Sequence, residues 1–475
     1  MGSKGLWAFI RPIIKRIPLA NLKNKRLIID IILYLHKQII GIRNKGHDII
    51  NNRGKNINHL VSLYHILKNL INVDILPICV FDGKPPELKK QTITKRKAIT
   101  EKSKQLVSLI SNEINKLNDD WEEINSSDSD VIKPDMHYIS NEEYDNDNIE
   151  DTDYGTKLNI EYLKHFKKSY NINTSQINDC KSMLEMMGLP VITSIEEADK
   201  DSVNIYNRLK TYIAGILTED SDILLYGGEC IYKDIDFATG TISEINISDV
   251  LKYLQNKARK IDPNIIFTFQ NLIDFSIILG NDYTAGIRTN SVIEQIEEVD
   301  KSISNLSNSR EIIFRKFIKS NCNVPELIDT LYNFNEQNQV IIYYIPANFK
   351  ETYLAVRNIY TSNANDTYTI QNIIMSQPDL VKLQKYLLDN DIIKRYSANI
   401  FMKNLTKLYE AFKIKRKYQI IHQQPILEYS CRTTSTSSNE SSPISDSPTS
   451  ELSPSDIDNN GWTLVTKHKC KLIYT

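Results

Sequence analysis

The chain lacks any pair of cysteines in C-x-x-C spacing; its six cysteines stand far apart, at Cys79, Cys180, Cys230, Cys322, Cys431 and Cys470. That spacing speaks against a structural zinc site and against a disulfide framework, and it fits a reducing, intracellular setting. No run of about 18 apolar residues occurs, so no membrane-spanning helix is expected. The start, Met1-Gly2-Ser3-Lys4-Gly5-Leu6, leads into a short apolar run soon broken by Arg11, which is not the pattern of a signal peptide. There is no G-x-x-x-x-G-K-[ST] phosphate loop, which argues against a nucleotide-driven motor. Net charge is nearly absent as well. Lys plus Arg number 58 and Asp plus Glu 59, so overall charge points to no partner.

What is present is unevenly distributed. With 475 residues, 41% of them apolar, the chain can bury a large core and form two or three domains. Residues 1–100 read as alternating strands and helices: Arg26–Ile29 and Leu76–Phe81 are apolar strands, and Asn56–Leu70 has helical spacing. Residues 84–104 are strongly basic and helix-like after Pro86. The sign then reverses. From Asp119 to Asp153 carboxylates abound beside Ser and Asn, with no Arg and one Lys (Lys133), so this stretch is expected to be a flexible acidic insertion. Folded texture resumes near Tyr154, with a turn at Gly188-Leu189-Pro190, a helix from Glu196 and a strand over Tyr212–Leu217; beyond it the chain reads as mainly helical to about Lys417. The tail from Cys431 to Ser455 is rich in Ser, Thr and Pro and is expected to be disordered.

The chemistry sits where strands end. Leu27-Ile28-Ile29 runs into Asp30, Pro77-Ile78-Cys79-Val80-Phe81 into Asp82, and Ile213–Leu217 into Thr218-Glu219-Asp220-Ser221-Asp222. Near-continuous apolar strands joined by helices imply a buried parallel sheet, and such sheets bind ligands outside their carboxyl ends. Glu197-x-Asp199 opens a helix just after a turn and can face the same edge, as can Asp282 in Leu279-Gly280-Asn281-Asp282-Tyr283. Taken singly, each strand-end Asp could be a turn residue or a helix cap. Together they form a carboxylate cluster, which repels itself unless cations fill it. All-oxygen ligands suit Mg²⁺ or Mn²⁺ rather than zinc. Two ions about 4 Å apart would activate a water and stabilise the leaving oxygen of a phosphodiester.

These residues carry a resemblance. Met1-Gly2-x-x-Gly5-Leu6, Val80-Phe81-Asp82-Gly83-Lys84-Pro85-Pro86-Glu87-Leu88-Lys89, Glu197-Ala198-Asp199, Thr218-Glu219-Asp220-Ser221-Asp222 and Ile278-Leu279-Gly280-Asn281-Asp282-Tyr283 are similar to the signature blocks of flap endonuclease and XPG-type structure-specific 5′ nucleases, in the family's order. The helical stretch Pro378–Phe412 resembles that family's last core helices. The resemblance implies an α/β fold: a central, mostly parallel sheet flanked by helices, with a helical arch, a helix-turn-helix-type DNA-binding segment and a disordered C-terminal tail. It divides the chain into an N-terminal nuclease region (1–105), the arch (106–187) with the acidic insertion over about 117–155, an internal nuclease region (188–300), a C-terminal helical part of the core (301–420) and the tail (421–475).

By the same resemblance, two Mg²⁺ ions (Mn²⁺ can substitute) are held by Asp30, Asp82, Glu197, Asp199, Asp220, Asp222 and Asp282; Asp199 stands where the family usually has Glu. Lys89 and Arg96 match the basic pair at the foot of the arch, expected to position the scissile phosphate and stabilise charge in the transition state. Seven residues apart, they share one helix face. Gly2, His36, Arg43, Lys90 and Lys95 complete the expected DNA-contacting set. His36 falls where the family stacks a Tyr on a base, with Tyr34 out of step by two. After Asp282 the family's glycine-rich, potassium-binding turn is replaced by Gly286-Ile287-Arg288-Thr289-Asn290-Ser291-Val292.

The implied function is a magnesium-dependent 5′ flap endonuclease and 5′–3′ exonuclease acting on branched DNA in replication and repair. A junction- or bubble-cutting relative is the alternative within the class, since the lengthened arch resembles that branch too. A ribonuclease on a similar acidic sheet would lack the arch and the Asp282 helix, and a non-catalytic DNA-binding scaffold would be expected to lose some carboxylates. A monomer is expected, with a weak sliding-clamp contact through Gln423, Ile426 and Tyr429. A second match to that peptide pattern, Gln337-x-x-Val340-x-x-Tyr343-Tyr344, reads as buried structure. Lys413-Ile414-Lys415-Arg416-Lys417 suits a nuclear signal or a basic helix end near DNA, and the compartment stays open.

Overall fold

The computed structural model describes residues 2–3, 5–125, 154–289, 305–339, 341–362 and 368–421. Its centre is a 7-stranded sheet in the order β1-β7-β6-β5-β2-β3-β4. The strands are β1 (Lys15–Pro18), β2 (Arg26–Asp30), β3 (Leu76–Phe81), β4 (Val191–Thr193), β5 (Gly215–Leu217), β6 (Cys230–Asp236) and β7 (Thr241–Asn246). From β6 across to β4 all neighbours are parallel; β7 turns back antiparallel to β6, and β1 closes the edge antiparallel to β7.

The apolar runs of β2, β3 and β5 are buried from end to end. Alternate side chains of a strand leave on opposite faces. Ile28, Ile78, Val80 and Ile216 therefore enter one core, and Leu27, Ile29, Cys79, Phe81 and Leu217 the other. Helices α2 (Ile31–Arg43) and α3 (Asn58–Asn72) follow α1 (Leu6–Phe9) and connect β2 to β3. Helices α4 (Lys90–Asn125), α5 (Tyr154–Lys168) and α6 (Thr174–Met186) lie between β3 and β4, and α7 (Ala198–Leu209) leads to β5. Then come α8 (Asp222–Leu225), α9 (Ile247–Arg259) and α10 (Phe269–Leu279). Leu35, Leu67 and Met183 cover one face, joined by Leu383 and Leu405 of the helices Leu380–Asp389 and Arg395–Ile421. Val203, Leu254 and Phe275 cover the other, joined by Phe314 and Tyr353 of the helices Asn305–Lys319 and Phe349–Thr361.

The expected parallel α/β core is present. After Leu217 the described chain is mainly helical, as expected, but it first forms the β6–β7 hairpin, which the sequence reading did not single out. Its turn is closed by Asp236, whose Oδ1 accepts from the Ala238 and Thr239 N–H groups at 2.9 and 3.2 Å, and local Asx chemistry of this kind leaves little periodic signal. Helix α4, 36 residues and about 54 Å long at 1.5 Å per residue, continues through Asn125, so the first residues of the acidic segment are helical. Residues 126–153 lie outside the described residues, as do the tail and its Gln423, Ile426 and Tyr429. Helix α5 packs back along α4, with the Tyr154 hydroxyl donating to Glu113 at 3.3 Å.

Helix α10 leads through a turn into Arg288–Thr289, and the residues that follow, 290–304, lie outside the described residues. Of the 337–344 pattern, Tyr343 is buried in a two-stranded ribbon against Arg288–Thr289, but Gln337 and Tyr344 are exposed and Val340 lies outside the described residues, so the expectation of a buried segment holds for Tyr343 alone. Cys79, Cys180, Cys230 and Cys322 are free thiols, and burial pushes Cys180 up to about 12. Among the described residues no helix is long and apolar enough to cross a membrane.

Candidate active site at the carboxyl edge of the sheet

The chain lays β3 on one side of β2 and later crosses to place β5 on the other. At this reversal the connections diverge and leave a crevice outside the strand ends. It is a cleft of about 280 Å³ lined by Asp30, Asp82, Glu197, Asp199, Asp220 and Asp282, together with His36, Lys89 and Arg96. Asp222 sits one layer deeper, 5% exposed. Thus the structure gathers the carboxylates expected from positions far apart in the sequence.

Each acid is placed by its local fold. Asp30 ends β2 and caps α2, accepting from the Leu33 N–H at 3.3 Å. Asp82 follows β3 and accepts from the Ala198 N–H at 3.0 Å, which ties it to the start of α7. Gly83 makes that junction possible. Its N–H donates to the Glu196 carbonyl at 2.7 Å, and a methyl group there would lie 2.0 Å from the Ser194 carbonyl oxygen. Asp220 Oδ1 accepts from the Asp222 N–H at 3.0 Å. Gly2 presses on the same loop: a methyl group there would lie 2.0 Å from Asp220 Oδ1, 2.6 Å from Ser221 Oγ and 2.8 Å from Asp222 Oδ1.

The foot of α4 supplies the positive charge. The Lys89 ammonium is paired with Glu197 and lies 3.6 Å from Asp282 Oδ2. Arg96 donates to Asp282 Oδ1 at 2.6 Å, and the Thr92 hydroxyl donates to the Asp282 carbonyl at 2.6 Å. Burial alone would lower Lys89, but Glu197, Asp282 and Asp199 outweigh it and hold the ammonium above its ordinary value.

The acids are shifted the other way. Burial, then repulsion from Asp82 and Asp220, raises Asp30 well above the usual carboxylate range. Burial, then Asp220 and Asp30, does the same to Asp199, and burial, then Asp220, to Asp222. Asp220 is also raised, and so is Asp82, which is desolvated on the cleft side although much of the residue is open to solvent. Asp199 Oδ1 and Asp222 Oδ1 are buried without a hydrogen-bond partner. Orphaned oxygens among crowded, costly carboxylates are a donor set that suits a hard divalent cation. No three His, Cys, Asp or Glu side chains among the described residues are already close enough to coordinate one. Lys89 and Arg96 provide compensating positive charge beside the acids.

Some expected contact residues are placed differently. Arg43, expected at the DNA, is 4% exposed: it pairs with Asp48 at 3.1 Å, donates to Ser169 and lies 3.7 Å from the Phe166 ring centroid. It docks α5 onto α2, and its charge is consumed inside the protein. His36 does face the cleft, whereas Tyr34 is buried and donates to Glu219 at 3.3 Å. Burial, then Arg96, lowers His36 below its ordinary value. Lys90 and Lys95 are exposed on α4, Lys90 paired with Glu87 at 2.6 Å.

Sequence reasoning assigned no role to a layer of phenols beneath the acids. Tyr283 donates to Glu197 Oε2 at 2.5 Å and Tyr226 to the same oxygen at 3.3 Å; Tyr360 donates to Asp222 Oδ2 at 2.9 Å. Tyr283 follows a motif aspartate and could have been noticed, but nothing local marks Tyr226 or Tyr360.

Residues 1–103 match the XPG N-terminal domain and residues 188–282 the XPG I-region, the two segments that contribute the cleft acids. The chain thus carries both XPG domains. The chain is 23% identical over 404 residues to Flap endonuclease 1 of Methanococcus aeolicus, covering 85% of the chain and 94% of that relative. It is 24% identical over 323 residues to Flap endonuclease 1 of Nematostella vectensis, covering 65% and 71%. Its fold is shared with the catalytic core of Rad2 in complex with DNA substrate (TM-score 0.51, 17% identity, 85% of this chain and 100% of that one). It is shared equally with flap endonuclease-1 from Methanococcus jannaschii (TM-score 0.50, 18% identity, 87% and 100%).

Proposed function

We propose that this chain is a divalent-metal-dependent 5′ flap endonuclease and 5′–3′ exonuclease that hydrolyses phosphodiesters in branched DNA during replication and repair. The observation that carries the reading is the cleft itself. Six of the seven expected acids line it and the other, Asp222, lies beneath, with Lys89 and Arg96 entering from the foot of a long helix. Bound there, Mg²⁺ ions would activate a water and stabilise the leaving oxygen. Asp30, Asp82, Glu197, Asp199, Asp220, Asp222 and Asp282 would hold them.

The remaining work falls to the chain. Lys89 and Arg96 exchange their carboxylate partners for the non-bridging oxygens of the scissile phosphate and neutralise charge developing on it. His36, at the floor beside Asp82, offers a ring for the flanking base. Lys90 and Lys95 lie exposed along the strand's approach on α4 and supply salt-dependent affinity. The length of α4 favours a second reading, a junction- or bubble-cutting nuclease. Cleavage of end-labelled flap, bubble, nicked and four-way DNA with Mg²⁺ separates the two: a dominant single cut near the flap base supports the first.

Asp220→Asn should abolish cleavage while DNA binding persists, and turnover above about one percent of the parent value would sink the metal assignment. A sliding-clamp contact through Gln423, Ile426 and Tyr429 is part of the proposal. A peptide of residues 418–434 should bind the clamp weakly, and no binding at about 100 μM removes it.

A further inference from the structure

Glu197 and Asp222 share one arrangement: each has one oxygen capped by a phenol and the other oxygen turned to different use. Glu197 Oε2 receives Tyr283 at 2.5 Å and Tyr226 at 3.3 Å, while Oε1 meets the Lys89 ammonium. Asp222 Oδ2 receives Tyr360 at 2.9 Å, while Oδ1 is buried without a partner. The three phenols form one packed unit. Tyr360 lies 5.0 Å from the Tyr226 ring and 5.9 Å from the Tyr283 ring, and the Tyr226 and Tyr283 hydroxyls are 3.4 Å apart. Tyr360 also accepts from Asn281 Nδ2 at 3.1 Å, and Asn281 Oδ1 in turn accepts from the Tyr283 and Thr284 N–H groups at 3.0 and 3.1 Å. One hydroxyl thus links the Asp222 carboxylate to the turn that carries Asp282.

We propose that Tyr226, Tyr283 and Tyr360 are positioning residues of the acidic centre, which hold one oxygen of Glu197 and one of Asp222 so that the opposite oxygens are presented to cations. The inference rests on the nuclease reading above. It assigns a part in the centre to Tyr360, which stands on Phe349–Thr361, outside both segments that match the XPG domains. A carboxylate free to rotate about its last bond presents its oxygens in many orientations, and a fixed donor on one oxygen removes that freedom. Outer partners of this kind typically change metal affinity or activity about 10–100-fold.

The test uses Mn²⁺ alone as the probe, titrated into the full, DNA-free chain and followed by the electron paramagnetic resonance of the free ion. Tyr360→Phe and Tyr283→Phe each keep the ring and lose the donor, and each should weaken Mn²⁺ binding about 10-fold or more. Melting temperature in EDTA, and flap-DNA affinity measured in EDTA by fluorescence anisotropy, should stay near parent values. Tyr353→Phe is the matched control. Its hydroxyl donates to a buried carboxylate too, Asp274 at 2.8 Å, from the same helix but away from the cleft. It should leave Mn²⁺ binding unchanged. The proposal is overturned if Tyr360→Phe and Tyr283→Phe bind Mn²⁺ like the parent, or if Tyr353→Phe weakens binding as much. A parent chain that takes up no Mn²⁺ overturns the nuclease reading itself and this inference with it.

Discussion

Replacing Gly2 by Ala probes the centre from its least obvious side. Two effects add. The residue has φ +78°, where an L side chain costs roughly 1–2 kcal/mol. The added methyl also overlaps Asp220 Oδ1 at 2.0 Å, Ser221 Oγ at 2.6 Å and Asp222 Oδ1 at 2.8 Å, where contacts under 3.0 Å force something to move. Either the N-terminal segment lifts away, losing the Ser3 hydroxyl bond to the Ser276 carbonyl at 3.0 Å, or the loop that carries both acids shifts by about 1 Å. A misplacement of that size at reacting groups costs on the order of 100-fold in rate. Single-turnover cleavage of a 5′ flap should therefore fall about 10–100-fold, with melting lowered by only a few degrees. Gly54→Ala separates the two contributions: it has φ +73° but nothing within 4 Å, so it carries the backbone strain without the collision. If Gly2→Ala cleaves at the parent rate, or if Gly54→Ala loses as much rate, the placement of the N-terminus against Asp220 and Asp222 has no catalytic consequence and the reasoning fails.

Lys89→Ala should slow single-turnover cleavage by about 3 kcal/mol, on the order of 100-fold, with far less effect on DNA affinity; a variant that loses only affinity shows Lys89 to be an ordinary phosphate contact. The raised carboxylates give metal-free stability a definite slope. A carboxyl whose folded pKa lies above its ordinary value of 3.8 adds stability that is complete at or below that value and is lost as pH rises through the folded pKa. Asp30→Asn, measured by melting in EDTA from about pH 4 to 8, should flatten this component, and an unchanged slope would show that Asp30 is not desolvated as the cleft implies. Deleting residues 126–153 should tighten DNA binding at low salt, because an acidic segment competes with phosphates for the basic residues of α4; unchanged affinity means the segment does not act on DNA.

Much of this protein is written locally. Leu27-Ile28-Ile29 and Ile78-Cys79-Val80-Phe81 announce strands buried on both faces, because only a covered parallel sheet tolerates unbroken apolar runs. The acids that close those runs were legible for the same reason, as were the basic residues that begin α4. Less visible were the short strands β1 and β4, whose 4 and 3 residues carry too little pattern, and the β6–β7 hairpin, set by side-chain caps in its turn.

What only the tertiary structure decided is adjacency. The order that sets β5 beside β2 is a property of the whole sheet, and it alone brings Asp220 to Asp30 and Asp82. Arg43 could be read as a DNA contact from its charge, yet Asp48, Phe166 and Ser169 enclose it, and enclosure depends on residues up to 126 positions away. Tyr360 joins Asp222 across 138 positions. Periodicity reports what a residue's own helix or strand requires of it. Which distant side chain fills the space next to it is settled when the layers pack, and in this chain that packing completes the acidic centre.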